Sequence, residues 1–303
     1  MRPTLKQLSY FVEIAETGRF GEAARRMNVS QSSLSAQIAD MEEELGARLI
    51  ERGRHGALLT PAGNDVVVQA RLILREVEEL KSIARQSEEQ FAGRINLGVL
   101  PSIGPYLLPP FTRHLHQRFP KLRLVVREES TIDLEKHLSD GHFDLVVSTP
   151  EDHPDAESVI LFQEHFWVCA APDDPLSSSL EPVQLSELRH QPFISLGYGH
   201  RLSQMVRELA QETGTYVSSE YEGTSLDAVR QMAVMGAGIA VLPSLYALSE
   251  ARRDPHLTIR RIDHSKAVRN VSLCWRRTSA LSTQFRLLAD FLSETANDIL
   301  DAG

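Results

Sequence analysis

The sequence predicts an α/β chain: a helical, winged N-terminal head, a long linking helix, and a two-lobed body of alternating strands and helices. Three observations carry this prediction. A helix with an unusual polar face is expected from Ser30 to Gly46. A seam of apolar residues runs at steps of four and three from Val66 to Phe91. From Ile95 onward, strand and helix patterns alternate to the C-terminus.

In the head, Thr4 and Gln7 form a capping-box start, and Leu5, Leu8, Phe11, Val12 and Ala15 give the first helix its apolar face. Gly18 ends it. Phe20–Met27 is a short second helix with small Ala23 and Ala24 where a neighbour can approach closely, and Asn28-Val29 turns the chain. Ser30 is a good N-cap for the third helix, whose buried face is Leu34, Ile38, Met41 and Leu45. Its other face carries Gln31, Ser32, Ser33, Ser35 and Gln37, which are short, uncharged and able to donate or accept. A solvated helix would more often carry Lys and Glu. A helix in a DNA major groove needs groups that meet base edges and phosphate oxygens. Gly46 suits the C-terminus of this helix. Leu49–Arg52 and Ala57–Leu59 read as two short strands of a wing, placing Arg52, Arg54 and His55 near phosphates.

Thr60-Pro61 opens the long helix, Thr as cap and Pro at the first helical position. Its seam is Val66, Ala70, Ile73, Val77, Leu80, Ala84, Ser87 and Phe91, an a/d repeat suited to pairing with a second copy. The bland reading is a helix packed on its own domain. Gly93 ends the helix. Strands are then expected at Ile95–Leu100, Leu122–Arg127, Phe143–Ser148, Val159–Val168, Phe193–Leu196, Ser219–Glu222, Gly238–Leu242, Ile259–Ile262 and Val268–Arg276. Helices are expected at Tyr106–Phe119, Ile132–Ser139, Arg201–Thr213, Ser225–Met235 and Ser282–Ile299. Such βαβ alternation implies parallel sheets with right-handed crossovers. The expected domains are a winged helix-turn-helix at 1–60, a dimerising linker helix at 61–92, and a body at 93–303. The body divides into lobe I (93–162 and 269–303) and lobe II (163–268), the two-lobed architecture of periplasmic binding proteins.

These motifs, in this order and spacing, resemble the LysR-type transcriptional regulators. The matching residues are Leu8-Ser-Tyr-Phe-Val12, Ala23-Ala24, Val29-Ser-Gln-Ser-Ser-Leu-Ser35, Glu43-Glu-Leu-Gly46, Leu49-Ile-Glu-Arg52 and Leu59-Thr-Pro-Ala-Gly63. The resemblance implies a non-enzymatic, DNA-binding regulator, dimeric or tetrameric, that binds promoter DNA and a small effector and contacts RNA polymerase. It implies DNA contacts from Ser30, Gln31, Ser32, Ser33, Ser35, Gln37, Arg52 and Arg54. Within the family the body looks most like the peroxide-sensing OxyR branch, through Gly104–Pro109, Phe119-Pro-Lys-Leu122, Thr224–Arg230 and Gly238–Pro243. The OxyR cysteine positions are here Arg201, after His200, and Ala210. An arginine forms neither a sulfenic acid nor a disulfide, so that switch is absent. Ser102, Thr131, His200 and Arg269 match positions that line the OxyR pocket, Thr224 lies in a loop that follows an expected strand, and with Arg201 they imply a site for a small, anionic effector with Arg201 or Arg269 as counter-ion.

Composition agrees with this outline. A chain of 303 residues, 42% hydrophobic and 24% charged, suits two or three globular domains. No apolar run reaches membrane-spanning length, and the N-terminus enters a helix rather than a signal peptide, so a cytoplasmic protein is expected. The net charge of −9 sits entirely outside the N-terminal head. Residues 1–64 hold 8 basic and 8 acidic residues, leaving 24 and 33 for the rest. DNA binding must therefore depend on placed arginines rather than bulk attraction. No P-loop, Gly-x-Ser-x-Gly or His-Glu-x-x-His motif is present, and neither cofactor nor metal is expected. Cys169 and Cys274 lie in apolar stretches. They are either inert core thiols or, if adjacent crossover strands bring them together, a relocated redox switch. A solute-binding protein without regulatory role is the remaining alternative, and the DNA head argues against it.

Overall fold

The computed structural model describes residues 3–53, 56–85, 93–189, 191–197, 199–220, 225–254 and 256–301. The chain forms two compact units, residues 1–88 with 139–142, and residues 89–138 with 143–303.

In the first unit, helices α1 (Leu5–Thr17), α2 (Phe20–Arg26) and α3 (Gln31–Leu45) precede the wing strands β1 (Ile50–Gly53) and β2 (Gly56–Leu59) and helix α4 (Pro61–Arg85). The capping box at Thr4 and Gln7 is present. Gln7 also donates through Nε2 to the Gln37 carbonyl at 3.3 Å, which ties α1 to α3 from a buried position. Glu42 accepts from the backbone N–H groups of Leu49 and Ile50 at 2.7 and 3.0 Å, so α3 fixes the start of the wing. Gly63 is required for close approach: a Cβ there would lie 2.1 Å from the Leu49 carbonyl oxygen. The core is Leu8, Phe11, Ile14, Leu34, Ile38 and Met41, joined from α4 by Val67 and Ala70.

That last contact departs from the expected seam. Ala70 is buried in the head itself, so the first turns of α4 pack at home. The exposed apolar residues of the seam are Ile73 and Leu80, one heptad apart, at 45% and 67% exposure. Ser87 and Phe91 lie outside the described residues.

The second unit is built on strands hydrogen-bonded in the order β4-β3-β5-β10-β6-β8-β7, with β9 also on β6. These are β3 (Gly93–Val99), β4 (Leu122–Glu128), β5 (Leu145–Ser148), β6 (Ala156–Cys169), β7 (Phe193–Ile194), β8 (Ile239–Pro243), β9 (Ile259–Arg261) and β10 (Val268–Arg276). The pairs β3–β4, β3–β5 and β7–β8 are parallel. Antiparallel β6 and β10 run the length of the unit and carry chain between two hydrophobic cores. One core gathers Val99, Phe111, Val147, Trp275 and Phe285; the other gathers Phe166, Phe193, Val206, Val241 and Tyr246. Helices α5 (Gly104–Arg118), α6 (Thr131–Ser139), α7 (Arg201–Thr213), α8 (Leu226–Val234), α9 (Ser244–Arg253) and α10 (Ser282–Asp301) cover the sheets.

Two sequence expectations differ. The strand at Ser219–Glu222 does not form over its described residues; its place is taken by a single bridge between Phe193 and Val217. Helix α9 was not expected from the sequence, although its helix-forming residues and the two arginines of its last turn mark it.

Candidate effector cleft and nucleic-acid interface

The polar face of α3 is presented to solvent at Gln31, Ser32 and Ser33, while Ser35 and Gln37 are half-buried. Ser30 serves as the N-cap, its hydroxyl accepting from the Ser33 N–H at 3.2 Å. Asn28, with φ of +53°, makes the sharp turn before it. Arg54 and the side chain of Arg52 lie outside the described residues. Arg25 and Arg26 are bound to Glu22, and Arg26 also to Glu13, so these exposed cations of α2 are neutralised in place.

The second unit contains a cleft of about 860 Å³. Ser102, Thr131, His200, Arg201 and Arg269, from four different segments, all line it, while Thr224 lies outside the described residues. Thr131 Oγ1 accepts from the Arg201 backbone N–H at 3.3 Å, and Ser102 Oγ accepts from Arg269 at 3.1 Å. Burial pushes the His200 imidazole below its ordinary pKa, so it faces the cleft as a neutral ring.

Arg269 is not the free counter-ion that the sequence suggested. It sits opposite Glu164 in the β6–β10 register, and its Nε donates to Glu164 Oε2 at 2.8 Å. Both side chains are buried, and the other Glu164 oxygen accepts from the Leu245 N–H. Two adjacent strands place a full charge pair in the protein interior, and the pair is neutral as a unit. Arg201 is also engaged, more loosely, at 3.4 Å from Asp152. Burial, first of all, raises the Asp152 pKa, with the Arg201 charge opposing.

The pair Arg201–Asp152 belongs to a buried polar group at the end of β5. Among the described residues, Ser148 Oγ, Thr149 Oγ1, Ser272 Oγ, His153 Nε2, Asp152 Oδ2 and Arg201 Nε have no hydrogen-bond partner. Burial pushes His153 down to about 4, so it too is neutral. Unsatisfied buried polar atoms carry a desolvation cost and concentrate where function requires them.

Sequence reasoning missed the far side of the cleft, which α8 and α9 supply. Tyr106 and Tyr246 stand edge to face with centroids 5.6 Å apart. The Tyr246 hydroxyl donates to Asp227 at 2.7 Å and accepts from Arg230 at 3.1 Å, and Arg253 reaches Glu250 at 2.7 Å. Burial first, and then nearby carboxylates, raise the pKa of both phenols, so they remain protonated donors.

The two thiols are not brought together. β6 and β10 are adjacent as expected, but Cys274 pairs with Ser158, eleven residues before Cys169 on the same strand. At about 3.3 Å per residue the separation is roughly 36 Å, far beyond disulfide reach. Burial pushes Cys169 up to about 11 and Cys274 up to about 12, the latter also against Asp152 and Glu151. Neither thiol is therefore nucleophilic near neutrality. In the native chain both are expected to stay unlabelled by iodoacetamide at pH 7.5 and to react fully after denaturation, as read by intact mass. Rapid native labelling would contradict this burial.

This arrangement of a winged head and a two-core cleft unit matches known proteins. The description "Bacterial regulatory helix-turn-helix protein, lysR family" fits residues 5–64, and "LysR substrate binding domain" fits residues 88–297. The chain belongs to the LysR family of transcriptional regulators. It is 35% identical to the DNA-binding transcriptional dual regulator OxyR of Escherichia coli K12, over 94% of this chain and 93% of that one. It is 32% identical to a hydrogen peroxide-inducible genes activator of Haemophilus influenzae, covering 98% of each. Among solved structures, a full-length OxyR variant from Pseudomonas aeruginosa superposes with a TM-score of 0.79 at 30% identity, covering 96% of this chain and 97% of that one. CbnR shares the fold at a TM-score of 0.66 and 22% identity, over 96% and 99%. The LysR-type chain is thus a regulator and not an enzyme. No described helix is long and apolar enough to cross a membrane.

Proposed function

We propose that this LysR-type regulator binds promoter DNA sequence-specifically and changes its grip when a small effector occupies the cleft. The observation that carries the effector half is the convergence of Ser102, Thr131, His200 and Arg201 on one cavity, with the Arg201 Nε buried and without a partner among the described residues. Arg201 is the anchor for an acceptor group of the effector, in competition with Asp152. Thr224 would complete the site. The expected anionic character loses its support at Arg269, which Glu164 already neutralises. The peroxide response in the names of the relatives does not transfer: Arg201 stands where the resemblance places the reactive cysteine, and Cys169 and Cys274 are buried far apart. The redox alternative built on that pair is set aside for the same reason.

Gln31, Ser32, Ser33, Ser35 and Gln37 read bases or adjacent phosphates, Ser30 holds the helix start, and Arg52 and Arg54 hold the backbone from the wing. Exposed Ile73 and Leu80 support pairing of α4 with a second copy, so that two heads meet two half-sites. Two such dimers form a tetramer, and the DNA-bound assembly contacts RNA polymerase in the cytoplasm. A DNase I footprint on the region upstream of the protein's own gene, with and without candidate effectors, tests the reading. Arg54→Ala is expected to weaken all sequences alike and to lower the slope of log affinity against log salt by about one. A changed base preference with an unchanged slope would remove Arg54 from the backbone contacts, and absence of protection at any site in a genomic selection would overturn the DNA reading.

A further inference from the structure

We propose that the cleft recognises a cationic group on its effector, an ammonium or a guanidinium, held at the Tyr106, Tyr246, Asp227 and Glu250 side. The inference rests on the effector reading above and adds the charge of the ligand.

The lining contains five carboxylates, Glu128, Glu129, Asp133, Asp227 and Glu250, against three guanidiniums, Arg201, Arg253 and Arg269. Two of those guanidiniums are already matched from behind, Arg269 by Glu164 and Arg201 by Asp152. A third place that favours an anion, the first turn of α5, is also occupied. A Cβ on Gly104 would lie 2.8 Å from Glu128 Oε1, so this carboxylate lies against the helix start. The chain's own acids therefore stand at three places where an effector carboxylate would otherwise gain. Charge of one sign on low-dielectric walls focuses its field into the cavity, and here the surplus is negative.

The far side of the cleft has the groups that hold a cation. Tyr106 presents aromatic surface, with the buried Tyr246 edge to face against it, and Glu250 and Asp227 flank them. Arg253 shows what this corner accommodates. Its guanidinium carbon lies 5.9 Å from the Tyr106 ring centroid while it donates to Glu250 at 2.7 Å. Cation–π attraction of this kind strengthens when the pair is shielded from water. Yet the Arg253 side chain is 68% exposed against 12% for Glu250, so the resident cation sits on a solvated arm over a buried acid. A ligand cation that enters from the cleft takes over the Glu250 and Tyr106 contacts and releases Arg253 to solvent. Asp227 and Glu250 then face Arg230 and the ligand, and the local charges balance.

The test is calorimetric titration of the full-length chain with agmatine, L-arginine and glutarate. Agmatine carries the cation without a carboxylate, L-arginine carries both, and glutarate carries only the anionic end. Agmatine and L-arginine are expected to bind saturably and glutarate is not. Glu250→Gln should weaken both cations at least about tenfold. Arg253→Gln should tighten them, an outcome that misfolding would not produce. No saturable binding of either cation at millimolar concentration, or cation binding indifferent to both variants, overturns the proposal. Saturable glutarate binding that is lost in Arg201→Ala also overturns it, while leaving the effector cleft itself intact.

Discussion

Replacing Arg269 by Met is expected to lower the stability of the effector unit by about 3–5 kcal/mol, because it leaves Glu164 as an uncompensated charge in the interior. Both side chains are almost completely shielded, at 2% and 0% exposure, so solvent offers no relief. Glu164 keeps the Leu245 N–H, and Ser102 loses its donor. For a unit of this size about 2–4 °C accompanies each kcal/mol, so the melting temperature should fall by roughly 6–20 °C. The double variant Arg269→Met/Glu164→Gln should recover most of the loss, since a neutral amide can still accept from Leu245. A buried ion pair is costly to break and cheap to replace as a whole. Differential scanning calorimetry of the single and double variants measures both values. A single variant within about 1 kcal/mol of the parent would mean that water reaches Glu164, and the closed description of this side of the cleft would fail.

Phe11→Ala carries the second large effect, and it falls on the other unit. Phe11 is fully buried where α1 meets the recognition helix, in one core with Leu34, Ile38 and Met41. Truncating a buried Phe costs about 3–5 kcal/mol through lost burial and the cavity left behind. A head of this size has little stability to spare. DNA binding should therefore be lost near physiological temperature, while the titration of cleft ligands remains. Measuring both on the same variant separates the units: loss of ligand binding together with DNA binding would mean that the head core and the cleft unit unfold as one.

The head was legible almost residue by residue, because local signals dominate it. Capping at Thr4 and Ser30, the glycine stops at 18 and 46, and the period of Leu34, Ile38 and Met41 depend on neighbours three or four positions away. The seam of α4 was read too generously for the complementary reason. Periodicity shows that a face is apolar, and not which surface covers it; Ala70 proved to be covered by its own head. In the body, strand positions were legible apart from Ser219–Glu222, and α9 was not, so Tyr246, Glu250 and Arg253 were missing from the expected site.

The sequence by itself determined the family, most of the elements in their order, and the absence of cysteine at the Arg201 position. These follow from spacing along the chain and from residue chemistry. Only the tertiary structure decided the charge state of the cleft and the fate of the thiols. Arg269 meets Glu164 across 105 positions of sequence because β6 and β10 are antiparallel in one particular register. The same register carries Cys274 away from Cys169. Charge balance and thiol distance are set by strand pairing over long separations, and no local pattern encodes them.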